Sequence, residues 1–110
     1  MNTIFDQRGF LADPGRWSSN VARCIAAGEG NIRLTVEHLQ VIRKLREHYL
    51  AGRRIPVMRQ LCREVGVKRH RVSALLQDPV AAWRIAGLPY PGEEALAQLE
   101  SDGVTERKIL

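Results

Sequence analysis

The sequence has no apolar run near the roughly 18 residues that a membrane-spanning helix needs, and its first residues lack a basic stretch followed by an apolar one. These absences predict a cytoplasmic protein with no membrane partner. Cysteine is scarce, since Cys24 and Cys62 stand 38 positions apart with no CxxC pair. We therefore expect neither a disulfide framework nor a zinc site. Both cysteines fall among apolar residues at helical spacing, which predicts two buried, unreactive thiols.

Patterns typical of enzymes are missing as well. His38, His48 and His70 lack the HxxxH spacing of a metal-binding helix. The chain has no glycine loop of the phosphate-binding type, and no Ser-His-Asp or paired-carboxylate arrangement stands out. We therefore predict a protein that is not an enzyme and that needs no metal or cofactor.

What the sequence does have is a concentrated positive charge. The formal net charge is +5. Residues 52–84 contain eight basic and two acidic residues, a net charge of +6, whereas the rest of the chain has nine basic and ten acidic residues, a net charge of −1. Charge gathered on one segment is typical of a surface that binds a polyanion, although a solvated basic surface can also serve solubility alone.

The same segment has the spacing of a helix-turn-helix over residues 56–77. Leu61 and Val65 recur at helical spacing before Gly66, a residue that can take the left-handed backbone angles of a turn. A second apolar run then starts at Val72. Two core helices joined by a glycine turn would show the same pattern without binding DNA. If DNA is the partner, the residues expected to contact phosphates or bases are Arg53, Arg54, Arg59, Lys68, Arg69, His70, Arg71, Ser73 and Gln77.

The remaining patterns predict a mainly α protein, a small orthogonal helical bundle with an N-terminal β-hairpin. Short apolar pairs on both sides of residues 6–9 indicate the hairpin. Helices are expected over 13–28 and 35–52, the second with Arg46 on its outer side. The predicted core consists of Trp17, Val21, Ile25, Leu39, Ile42, Leu61, Val65, Val72 and Leu75.

The chain is predicted to divide into a domain over residues 1–92 and a C-terminal extension over 93–110. A short helix over 93–100 has two large apolar residues, Leu96 and Leu99, with which it would pack on the body or on a partner. Asp102-Gly103 is expected to end that helix, leaving a loose tail.

Three passages, FDQRGFLADPGRW, LTVEHLQVIRKLREHY and WRIAGLPYP, resemble segments of the DsrC/TusE/DsvC family over about residues 4–92. That family includes the gamma subunit of dissimilatory sulfite reductase and a sulfur-relay protein for tRNA thiolation. The resemblance implies a helical bundle with a small hairpin and an internal helix-turn-helix. It also implies sulfur transfer by a penultimate cysteine on a flexible C-terminal arm, with a second, upstream cysteine in some members. In this chain those two places hold Glu94 and Trp83.

Three functions follow from these observations. The charge distribution favours a regulatory protein that binds double-stranded DNA through the helix-turn-helix. The retained IAGLPYP segment favours a docking module that meets sulfite reductase or sulfur-relay proteins through residues 88–91 without accepting sulfur. The third is a residual sulfur carrier that uses Cys24 or Cys62.

Overall fold

Six α-helices and two short 3₁₀ helices make up the part of the chain that the structure describes. The structure is a computed structural model that describes residues 5–52 and 55–109, with side chains up to Val104. No strand occurs within these residues. The 3₁₀ helices span Pro14–Arg16 and Arg69–Val72. The α-helices are α1 (Ser19–Gly28), α2 (Val36–Gly52), α3 (Met58–Val65), α4 (Ser73–Gln77), α5 (Pro79–Ile85) and α6 (Glu93–Ile109).

The α-helices pack around one hydrophobic core. The prediction of a mainly α fold is confirmed. Its largest fully buried members include Trp83, Ile42 and Leu88. Three predicted core residues, Trp17, Val21 and Val65, are half-buried and pack against it. The other six predicted core residues are fully part of it, namely Ile25, Leu39, Ile42, Leu61, Val72 and Leu75.

The predicted N-terminal β-hairpin is not supported, because from residue 5 onward its place holds a single antiparallel bridge, between Phe5 and Leu11, and its first residues lie outside the described part of the chain. The Asp6 carboxylate closes the turn by accepting hydrogen bonds from the backbone N–H groups of Arg8 (2.8 Å) and Phe10 (3.0 Å). Phe10 and Leu11 are neighbours in the chain and are both fully buried. A strand points successive side chains to opposite faces, so two adjacent inward residues cannot extend a ladder.

The helix predicted over 13–28 is divided at Trp17. Asp13 caps the 3₁₀ helix Pro14–Arg16 by accepting a hydrogen bond from a backbone N–H two residues on. Ser18 then starts α1, because its hydroxyl accepts a hydrogen bond from the Val21 N–H at 3.2 Å. Two successive caps thus create two short helices, and Trp17 lies between them.

Helix α2 begins at a reciprocal cap between Thr35 and His38. The Thr35 hydroxyl oxygen accepts a hydrogen bond from the His38 N–H (3.3 Å), and the Thr35 N–H donates to His38 Nδ1 (3.1 Å). This is the geometry of a capping box with histidine in the place usually taken by glutamate. Burial lowers the pKa of His38, against a smaller opposite effect of Glu37. The neutral ring that accepts at Nδ1 is therefore the favoured form.

The predicted helix-turn-helix segment folds as two helices joined at Gly66. Gly66 ends α3 with left-handed angles (φ +74°), and the Val67 N–H donates to the Cys62 carbonyl at 2.9 Å. The second helix is interrupted, because Val72 has φ −131° and ψ 32°, outside the helical region. The 3₁₀ helix Arg69–Val72 and α4 therefore replace one continuous helix.

The C-terminal helix α6 is longer than predicted, since it continues through Asp102 and Gly103 to Ile109. It packs against α4 and α5, with Leu99 fully buried and Gly103 buried. Glycine inside a helix is about 1 kcal/mol less favourable than alanine. Gly103 lines a groove with Pro79 and Val80 at the start of α5.

Candidate functional site: a junction of three motifs and a basic turn

Arg46 of α2 links the first of the three motif segments, FDQRGFLADPGRW, to the last, WRIAGLPYP. Its guanidinium donates hydrogen bonds to the carbonyl oxygens of Ala86 (2.7 Å) and Pro14 (3.1 Å), and lies 4.5 Å from the Trp17 ring centroid. Burial lowers its pKa, although a guanidinium stays charged at neutral pH. The prediction of Arg46 on the outer side was therefore wrong. A usable sign was present, because residue 46 follows Ile42 by four positions, on the same helix face.

The Trp17 ring packs directly against Gly87 in this junction. The Trp17 indole N–H donates to the Ile85 carbonyl at 2.7 Å, which lays the ring over the chain that leaves α5. Gly87 has φ +68°, and a Cβ placed there would meet the Trp17 ring at Cδ1 and come within 2.8 Å of Cγ. The glycine is needed both for its backbone angle and for its lack of a side chain.

Trp83 fixes the chain as it turns away from α5. Its side chain is fully buried, and its indole N–H donates to the Pro89 carbonyl at 2.7 Å. The Tyr49 ring packs edge-on against it with the ring centroids 5.4 Å apart. The Trp83 side chain is therefore packed on all sides and has no access to solvent.

Tyr90 lies at the surface where the chain approaches α6. Its ring contacts Phe10 edge-on at 5.5 Å, and the exposed Arg8 guanidinium lies 4.3 Å from its centroid. Leu88, a predicted docking residue, is fully buried, whereas Tyr90 and Pro91 are half-exposed. Contacts among the three motif segments therefore fix the position at which the C-terminal segment begins.

The two cysteines differ in their surroundings. Cys62 is buried, as predicted, but Cys24 is exposed, so the prediction of a buried Cys24 was wrong. The buried side of α1 is formed by Ala22, Ile25 and Ala26, and Cys24 lies off that side. Glu94 is exposed in the first turn of α6.

The candidate DNA-binding residues do not form one uniform surface. Arg59 and Gln77 are half-exposed and lie in crevices shared with α6. Arg53 and Arg54 lie outside the residues that the structure describes. The exposed members are Lys68, Arg69, His70, Arg71 and Ser73.

Both acidic residues of the basic segment have structural partners. Glu64 accepts a hydrogen bond from the His48 ring at 2.8 Å, which ties α3 to α2, and this bond lowers the pKa of Glu64. Asp78 caps α5 by accepting from the Ala81 N–H at 3.1 Å.

Within the described residues, no three His, Cys, Asp or Glu side chains are grouped so that they could hold a metal ion. None of the described helices is long and apolar enough to cross a membrane.

The family model described as DsrC like protein matches residues 1–93. The chain belongs to the DsrC-like family. This confirms the family resemblance of the three motifs, and the match ends at the beginning of α6.

Relatives in the family include proteins named sulfurtransferase TusE. That of Salmonella typhimurium (strain LT2) is 37% identical over 95 residues, which cover 78% of this chain and 86% of the relative. That of Escherichia coli (strain K12) is 35% identical with the same coverage. A solved structure, the oxidized gamma-subunit of the dissimilatory sulfite reductase (DsrC) from Archaeoglobus fulgidus, is similar with a TM-score of 0.65 and 33% identity. It aligns over 81% of this chain and 89% of that chain.

Proposed function

We propose that this chain is a docking module of a sulfur-relay or sulfite-reductase system that does not carry sulfur on its C-terminal segment. The names of its relatives, a sulfurtransferase and a sulfite reductase subunit, support a role in sulfur metabolism. The observation that carries the proposal is the state of the two family cysteine places, a buried Trp83 and an α6 residue, Glu94. Neither an indole nor a carboxylate can form a persulfide or a disulfide.

The proposed docking surface is centred on Tyr90 and the Arg8 guanidinium above it. Aromatic and arginine side chains are the residues that most often dominate protein interfaces. This surface adjoins the start of α6, where family members would send out their arm. Because Arg46 hydrogen-bonds to the backbone on both sides of the junction, we expect this surface to have the same shape in the unbound protein.

We expect this protein to bind a sulfite reductase or a relay sulfurtransferase without accepting sulfur from it. Biolayer interferometry with the purified partner should show Arg8→Ala weakening binding by about fivefold or more. Arg23→Ala removes the same charge from exposed α1 and should change affinity by less than about twofold. Equal effects of both substitutions, or no binding by the unmodified chain, would contradict the docking proposal.

The sulfur step is tested separately by mass spectrometry after incubation with a persulfide donor. No gain of one sulfur atom is expected. Cys24 is the exposed thiol of the chain, so a persulfide that disappears in Cys24→Ser would support the carrier alternative instead. Cys62 is buried and should react only after unfolding.

A second candidate function, binding of double-stranded DNA, is favoured by the turn that follows α3. Four consecutive residues, Lys68 to Arg71, are all exposed there. Proteins bind DNA largely through basic contacts to phosphates, and specificity comes from side chains that reach base edges.

If five or six basic residues meet phosphates, log K should fall with log salt at a slope of roughly −4 to −5. Fluorescence anisotropy with genomic duplexes measures that slope. Lys68→Ala should weaken binding to all sequences alike, whereas Arg69→Ala with Arg71→Ala should also relax any sequence preference. An absence of binding at about 50 mM salt would exclude this function.

A further inference from the structure

Helix α6 places acidic side chains against the basic helix-turn-helix. Between residues 93 and 104 it has four acidic residues and no basic one. It packs on α4, which belongs to the helix-turn-helix, and Leu99 anchors it in the core. The acidic part of α6 therefore packs beside the most basic segment of the chain.

Asp102 faces a residue that the sequence predicted to grip DNA phosphates. Asp102 and Arg59 line one narrow crevice, together with Leu76 of α4. Burial raises the pKa of Asp102, and the positive charge of Arg59 acts in the opposite direction. The Asp102 carboxylate therefore lines the crevice that a phosphate would enter to reach this side of Arg59.

Glu100 lies two residues earlier on α6, next to another candidate contact, and it lines a different cleft. It shares a groove with Gln77 and Arg84 at the junction of α4 and α5. Glu93 and Glu94 lie in the first turn of α6, at its opposite end, and line neither of these two clefts. The four acidic residues therefore form two pairs of equal charge at different distances from the helix-turn-helix.

We propose that α6 acts as an intramolecular competitor of polyanions, in which Asp102 and Glu100 cover part of the helix-turn-helix surface and lower its affinity for nucleic-acid phosphates. This inference rests on the second candidate function, the binding of DNA. Like charges repel a phosphate at short range, and salt screens this repulsion with a Debye length of about 10 Å at 0.1 M. The competition is therefore strongest in dilute salt and depends on position as well as on net charge.

The test compares two charge-matched variants of the full chain, Glu100→Gln with Asp102→Asn and Glu93→Gln with Glu94→Gln. Each removes two negative charges with nearly isosteric amides and leaves Leu99 in place. Binding to a duplex of about 30 base pairs is measured by anisotropy at about 50 and 300 mM salt, with circular dichroism to confirm folding. We expect the first variant to bind about three- to tenfold more tightly at the lower salt, with a smaller gain at the higher. The second should change affinity by less than about twofold.

Each other outcome overturns the inference in a distinguishable way. Equal gains in both variants would mean that only net charge matters and that α6 covers nothing. Unchanged affinity in both, with the unmodified chain binding, would leave DNA binding standing without any competitor. An absence of binding in every variant would overturn both the competitor and the DNA-binding function.

Discussion

Replacing Gly87 with alanine is expected to lower the free energy of unfolding by about 3–4 kcal/mol. A non-glycine residue at φ +68° costs about 1 kcal/mol or more. The added methyl group would also meet the Trp17 ring, which hydrogen-bonds to Ile85 and packs against Arg46 and so has little freedom to move. Overpacking of this kind costs about 1–3 kcal/mol. Urea denaturation followed by circular dichroism measures the loss.

Gly66→Ala is the matched control for this substitution. Gly66 has a similar backbone angle, φ +74°, but a Cβ there would meet no atom within 4 Å. Its alanine variant should therefore lose only the conformational part, about 1–2 kcal/mol. Losses of equal size at Gly66 and Gly87 would show that contact with Trp17 contributes nothing, contrary to the geometry of the junction.

Placing a cysteine where the family resemblance implies one, by Trp83→Cys, should destabilise the protein by about 3–5 kcal/mol without creating a carrier. The substitution removes a fully buried ring, its contact with Tyr49, and the hydrogen bond to Pro89. The thiol would lie in the core, where burial disfavours the thiolate that reacts. Chemical denaturation gives the stability, and thiol labelling in native buffer gives the reactivity.

Trp83→Phe separates the two contributions of the indole. Phenylalanine keeps an aromatic ring beside Tyr49 but leaves the Pro89 carbonyl without its donor, so a loss of about 1–3 kcal/mol is expected.

For Trp83→Cys we expect labelling only at the rate of unfolding. Rapid labelling of residue 83 in a stable protein would show that this place opens readily, and the carrier function would then regain support.

Local signals accounted for several elements of the fold. Gly66 ends α3, as its residue type and spacing indicated, because this effect depends only on neighbouring backbone. The N-terminal hairpin failed for a non-local reason, since Phe10 and Leu11 both turn into a core supplied by distant residues. The prediction of where α6 ends was wrong for a similar reason. Gly103 is buried where α6 packs against α4 and α5, and the neighbouring residues in the sequence do not reveal this packing.

The candidate sites were predicted less completely than the helices. That Trp83 and Glu94 stand where the family resemblance implies cysteines stays a prediction from the sequence. The central place of Arg46 was missed because a charged side chain was assigned to solvent, although its aliphatic stem and planar head suit a half-buried position. Asp102 was interpreted as part of a helix stop, and its position beside Arg59 depends on α6 continuing past it.

The sequence by itself determined the family and the mainly helical class, because these follow from residue identity and short-range spacing. Only the tertiary structure decided that Cys24 is exposed and that α6 packs against α4. Helical spacing states which residues share a face. It does not state which faces other elements cover, since burial depends on contacts between residues far apart in the chain.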